Sequence, residues 1–336
     1  MRLSDNSFTK KNNYVSYAIW FLVFALIWIA NLPQFAEVFD QYVFAIIIYT
    51  GINIVLAVSL NLVNGFTGQF SMGHAGFMSV GGYVSALLSL YFIGEGESTL
   101  SAFTQGIYFI GFLLAGGLCA AVAGLVVGLP SLRLKGDYLA VVTLGFGEII
   151  RVILLNINYA GGARGLPGIP QLSSFGFVYS AVAVTIFVVS RYINSSHGRV
   201  LLSVRDDEVA AEAMGVNCTK GKVRAFTIGA FFAGVAGGLY AHYLRFLIPS
   251  AFDFNRSFEI IIMVVLGGLG SISGSVIAAI LLTVIREALR PLQEFTQIDF
   301  RMIIYSLFLI ILMLTRPNGL FGTREITDFW PFKKKR

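Results

Sequence analysis

Charge is what this 336-residue sequence has least of: Asp, Glu, Lys and Arg together supply 12% of it, against ~25% in an ordinary soluble domain. Water cannot wet a folded surface built from so few ionised groups. Residues that bind metals or act as nucleophiles are scarce too. Cys119 sits in an apolar run and Cys218 in a polar loop, far enough apart to argue against a disulfide framework or a cysteine metal cluster. The three histidines, His74, His197 and His242, are dispersed with no H-E-x-x-H spacing, so no metal site is expected. A phosphate-binding G-x-x-x-x-G-K-[ST] run is missing as well: Gly221-Lys222 is followed by Val223 and lacks the leading glycine. The run Gly268-Leu269-Gly270-Ser271-Ile272-Ser273 approximates a dinucleotide loop, but serine replaces the third glycine and the surroundings are apolar. An enzyme is therefore not expected, nor a cofactor bound by this chain. Nucleic acid is not an expected partner either. The net charge is +6, but no basic face is interleaved with aromatics, and the basic residues gather in loops and in Lys333-Lys334-Lys335-Arg336, as where cytoplasmic segments meet anionic lipid.

Apolar residues are abundant instead, at 56% of the chain, with a mean hydropathy of +0.77. The solvent this suits is a lipid bilayer, where backbone polar groups must close on themselves in helices or barrels. A barrel would show alternating segments of about ten residues; the apolar runs here are continuous and longer. At about 20 residues per crossing, the spans expected are Tyr17–Ala30, Tyr42–Val63, Gly73–Ile93, Gly106–Leu129, Leu139–Ile157, Phe175–Ile193, Ala225–Leu244, a bipartite stretch Phe258–Ile285, and Met302–Thr315. The first reads as a retained span, because Trp28-Ile29-Ala30-Asn31 offers no clear small-x-small cleavage site. The fold class expected is all-α, a polytopic transmembrane bundle of about nine or ten spans with glycine-broken helices. Lys and Arg mark the cytoplasmic side: Arg2, Lys10 and Lys11, then Arg133 and Lys135, then six basic residues between Arg191 and Arg224, then the tail. Both termini then lie inside, a parity that favours ten crossings if the bipartite stretch counts twice. The chain divides into a cytoplasmic N-terminus (1–16), a transmembrane domain (17–315) with a polar loop at 194–224, and a basic cytoplasmic tail (316–336).

Within that loop, the stretch from Arg205 to Val216 reads as a short helix. Asp206 is placed to cap it, Asp207 and Glu208 fall in the first turn where the helix dipole favours acids, and Gly215 is a natural stop. Val209, Ala210, Ala213 and Met214 share one face, and Glu208 and Glu212 another. Such a helix either connects two spans through solvent or docks into a groove of a cytoplasmic partner, and the residues alone leave both open.

The 36 glycines cluster. Gly65, Gly68, Gly73 and Gly76 interrupt one region; Gly267, Gly268, Gly270 and Gly274 interrupt the bipartite stretch. Glycine at this density permits close helix packing or a helix broken at membrane depth, and broken backbone persists there only when it is buried or lines a cavity. On the second reading a solute path would be lined by Asn64, Thr67, Gly68, Gln69, Ser71, His74, Gly267, Gly268, Gly270, Ser271 and Ser273, with Thr143 and Glu148 facing it. Glu148 also stands three residues before Arg151, a spacing suited to a structural ion pair.

Four ordered blocks, Asn61–Phe77, Leu134–Glu148, Gly198–Val216 and Val265–Gly274, together make this sequence resemble the branched-chain amino-acid ABC transporter permeases, in particular the M-type subunit of the leucine/isoleucine/valine importer. The resemblance runs from about Tyr42 to Thr315. It implies a permease of the bacterial inner membrane, paired with a second related permease, driven by two cytoplasmic ATPase subunits that carry ATP and magnesium, and supplied by a periplasmic solute-binding protein. It also implies that Arg205 to Gly215 is the coupling helix, with Arg205, Asp206, Asp207, Glu208, Ala211, Glu212, Met214 and Gly215 meeting an ATPase, and it favours the solute-path reading of the glycine breaks. Branched-chain or other neutral amino acids are the solutes expected. Urea or short amides, carried by similar permeases, are an alternative, and an ion-coupled carrier working alone is one of another class.

Overall fold

The computed structural model describes residues 40–94, 101–131, 134 and 136–288, with Phe24, Ile27, Trp28, Leu307, Ile310, Ile311, Leu314, Thr315, 319–322 and Glu325 as separate positions. The expected first and last spans, the Arg133–Lys135 loop and the extreme tail fall largely or wholly outside these residues. The described elements are helical: α1 (Gln41–Asn64), α2 (His74–Phe92), α3 (Ala102–Ser131), α4 (Asp137–Asn156), α5 (Phe175–Ile193), α6 (Ser196–Asp206), α7 (Glu208–Ala213), α8 (Cys218–Leu244), α9 (Phe254–Gly267) and α10 (Ile272–Ala288). Six of them, α1 to α5 and α8, are long and apolar enough to cross a membrane.

The central helix is α1, whose residues from Thr50 to Asn64 are all buried. It is apolar all round, as a helix enclosed by others must be. By contrast α3 turns Phe103, Ile107, Ile110, Leu114, Leu118 and Val122 outward, a stripe at helical spacing that suits lipid. Close approach of α2, α3 and α8 depends on small residues. A Cβ on Gly81 would collide with the backbone of Gly234, and one on Gly234 would stand 2.5 Å from Ala120 Cβ. Seams of this kind let helices gain dispersion contacts where lipid offers no hydrophobic driving force.

Facing residues give the directions. Val63 of α1 lies against Gly229 of α8, while Tyr49 meets Tyr240 and Tyr243 with ring centroids 6.3 and 5.3 Å apart; the two helices are therefore antiparallel. The bipartite stretch is a hairpin. Gly267 packs on Gly274 at its tip, and Glu259 of α9 pairs with Arg286 of α10 at 2.8 Å towards its open end. Gly268 and Gly270 make the tip with φ of 113° and 90°, a backbone region closed to most L-residues. With 14 residues, α9 is only about 21 Å long, short of the ~30 Å hydrocarbon layer.

Candidate functional site

One end of the bundle gathers the loop helices, the turn between α1 and α2, and the hairpin tip. Ser195 caps α6 by accepting from the Gly198 amide at 3.4 Å, and α6 continues through Asp206. The short helix α7 therefore starts later than its sequence suggests. Its cap is Asp207 rather than Asp206: the Asp207 carboxylate accepts from the amides of Val209 and Ala210 at 2.9 and 3.1 Å. Gly215 ends it with φ 81°, and the Val216 amide donates to the Ala211 carbonyl at 3.0 Å. Arg205 and Asp206 belong to the preceding helix.

Which way each side chain of α7 faces is now visible. Ala211 is buried with Val204 and Cys218, and Glu208 turns inward to the buried Lys222, Oε1 to Nζ 2.7 Å. Outward face Val209 and Met214, 68% and 84% exposed, with Ala210, Glu212 and Ala213 also exposed. A polar segment thus presents apolar side chains at its tip and is braced from behind by an ion pair. Just before it, Arg205 packs into the junction. Its backbone and stem lie against Gly68, and its guanidinium sits so close to Gly270 that a Cβ there would be 3.1 Å from Nη1.

Most residues expected on a solute path meet at this junction, where their hydrogen bonds run to nearby backbone and side chains. Asn64 holds the turn through the Ser71 amide and carbonyl at 3.1 and 3.3 Å. Thr67 donates to the Leu62 carbonyl, His74 Nε2 is 2.9 Å from Ser59 Oγ, and Thr143 accepts from the Met72 amide at 3.0 Å. The Ser271 carbonyl accepts from Asn61, whose side chain also holds the Gly270 amide and Ser275. Gln69 is buried, with neither amide atom hydrogen-bonded among the described residues. Gly267 packs on Gly274 and Gly268 on Gly322. Glu148 lies apart and pairs with Arg151 at 2.7 Å.

A second polar site lies deeper in the bundle. A cavity of about 410 Å³ opens between α1, α8, α9 and α10, lined by Tyr49, Asn53, Tyr240, Arg256, Glu259, Arg286 and their neighbours. Glu259 Oε2 accepts from Arg256 at 2.9 Å and from Arg286 at 2.8 Å. Arg256 also donates to Asn53 Oδ1 at 2.8 Å, and Asn53 donates to Thr283 at 2.9 Å. Asp253 caps α9 through the Arg256 amide at 3.1 Å. Asn53 stands twelve residues from one end of α1 and eleven from the other, so this network lies about half-way through the bundle. In the sequence, Glu259 is an acid near a span end. The overlooked signal was its i,i+3 spacing from Arg256 at the head of an apolar stretch. Among the described residues no group of three or more His, Cys, Asp or Glu side chains could hold a metal ion.

Comparison with known proteins bears on what such a bundle does. The sequence profile of the family described as "Branched-chain amino acid transport system / permease component" matches residues 42–314. The chain belongs to that family. The permease is 36% identical over 306 residues to the high-affinity branched-chain amino acid transport system permease protein LivM of Escherichia coli (strain K12), covering 81% of this chain and 68% of that one. It is 28% identical over 333 residues to the probable branched-chain amino acid transport permease protein LivM of Methanocaldococcus jannaschii, covering 86% and 96%. The Escherichia coli permease protein LivH is 31% identical over 145 residues, 43% of this chain and 44% of its own. No solved structure matches. The permease is a multi-pass helical membrane protein and a transport subunit.

Proposed function

We propose that this permease is one of two related membrane subunits of an ABC importer for branched-chain amino acids in the bacterial cytoplasmic membrane. Its companion is a second permease of the LivH kind. Two ATPase subunits bind ATP and magnesium on the cytoplasmic side, and a soluble receptor delivers the solute on the other. This chain binds no cofactor. The observation that carries the reading is α7, a capped helix with exposed Val209 and Met214 at the polar end of a membrane bundle. Its geometry suits insertion into a groove of a cytoplasmic partner.

The route of the stroke follows from the contacts. Displacing α7 moves α6, and Arg205 at the end of α6 presses on Gly68 and on Gly270 at the hairpin tip. The hairpin is antiparallel, so a push at its tip moves Glu259 and Arg286 at mid-depth. Alternating access is then the hairpin rocking against α1 and α8.

Substrate class is tested by uptake of labelled leucine in cells with and without the gene. Uptake should depend on the gene, and excess isoleucine or valine should suppress it while urea does not. Equal uptake in both strains, or suppression by urea and not by isoleucine, would overturn the reading.

A further inference from the structure

From the mid-depth cavity we infer a receiving site for a zwitterionic α-amino acid, in which Arg256 and Arg286 attract the carboxylate and Glu259 and Glu287 the ammonium group. The inference rests on the amino-acid import reading and deepens it. Ionisable side chains inside a membrane bundle are expensive, and they persist where they pair or meet a solute path. Here they pair with one another and line a cavity. One oxygen of Glu259 is shared by two guanidinium groups, so the triad carries one net positive charge, and Glu287 adds a carboxylate held by Tyr42 at 3.1 Å. With Asp253 also in the lining, charges of both signs surround the cavity, as a zwitterion requires.

The other dimensions fit as well. A volume of about 410 Å³ is at the lower end of small-molecule sites, ~300–1,000 Å³. Tyr49 and Tyr240 add aromatic surface to the lining. Asn53, Glu259, Thr283 and Arg286 also line a recess of about 10 Å³ beside Ile262, Met263 and Leu282, room for roughly one water molecule. Glu259 and Arg286 thus border both spaces. A substrate carboxylate that takes Arg286 from Glu259 would loosen α9 from α10 there, with the aliphatic side chain beside the recess.

The test uses the whole permease–ATPase complex in lipid nanodiscs, with Cys119 and Cys218 of this chain replaced by serine and Ala251→Cys introduced on the cavity wall. Labelling of that cysteine by a charged methanethiosulfonate is followed on the separated chain. Millimolar leucine should slow it at least threefold. Leucine amide, which lacks the carboxylate, and 4-methylpentanoate, which lacks the ammonium, should protect far less. Arg286→Gln should abolish protection, and Arg286→Lys should restore part of it, each read on complex purified intact. Labelling indifferent to leucine, in a complex that imports leucine with its receptor, overturns the site and leaves the functional reading intact. A wild-type complex that imports no leucine overturns that reading instead.

Discussion

Removing the brace behind α7 has a consequence that can be sized. Lys222 is buried and its ammonium stands 2.7 Å from Glu208 Oε1, with Lys222 side-chain exposure of 5% and Glu208 of 24%. Glu208→Gln keeps the shape but leaves the ammonium without its counter-charge. Stripping one partner from a fully buried pair costs about 3–5 kcal/mol, whereas an exposed pair is worth about 0–1. A quarter-exposed carboxylate lies between these limits, so about 1–3 kcal/mol is expected, which shifts the seated population of α7 roughly five- to 150-fold. The assay is leucine imported per ATP hydrolysed by the reconstituted importer, alongside protease cleavage within 207–217. The substitution should lower the ratio and speed cleavage. The double variant Glu208→Leu, Lys222→Met leaves no charge stranded and should cleave nearly as slowly as wild type. Unchanged coupling and cleavage in Glu208→Gln would refute the bracing role.

Three other outcomes follow from the same contacts. Val209→Glu with Met214→Glu should leave the permease folded, since both side chains are exposed, yet abolish ATPase co-purification; retained co-purification would move the docking face elsewhere. Gly234→Leu should disrupt the α2–α3–α8 seam, where even a methyl would stand 2.5 Å from Ala120 Cβ. Overpacking typically costs about 1–3 kcal/mol and this insertion should exceed that, seen as a lower midpoint in detergent melting. Asn61→Leu removes three hydrogen bonds from the hairpin tip. At about 1 kcal/mol each, and more where the Gly270 amide is left buried and unpaired, it should reduce transport more than assembly.

Some of this was legible in the residues and some was not. Runs of apolar residues announce helices such as α1 and α5 because lipid demands internally satisfied backbone. The glycines near 267–274 announce a break for the same steric reason that makes Gly268 and Gly270 the tip. The start of α7 shifted by one residue because Asp206 and Asp207 can both cap, and the choice falls to α6, which continues through Asp206. Ala211 and Glu208 look alike from sequence, as members of one short helix; burial against Val204 and Lys222 is what turns them inward. The polar residues from Asn64 to His74 announce an unusual turn but not its use, since their bonds run to backbone and side chains nearby. The cavity was the least legible part. Asn53 and Arg256 are 203 positions apart, and only the packing of the hairpin on α1 brings them together.

The central claim, that ATP hydrolysis by partner subunits drives amino-acid import through this permease, is tested most directly in sealed proteoliposomes holding the permease, its companion and the ATPases. The receptor and labelled leucine are added outside. Leucine should accumulate against its gradient only when ATP is inside and receptor outside, and imposed proton or sodium gradients should neither replace ATP nor alter the rate. Accumulation without ATP that collapses with an ion gradient would contradict the account.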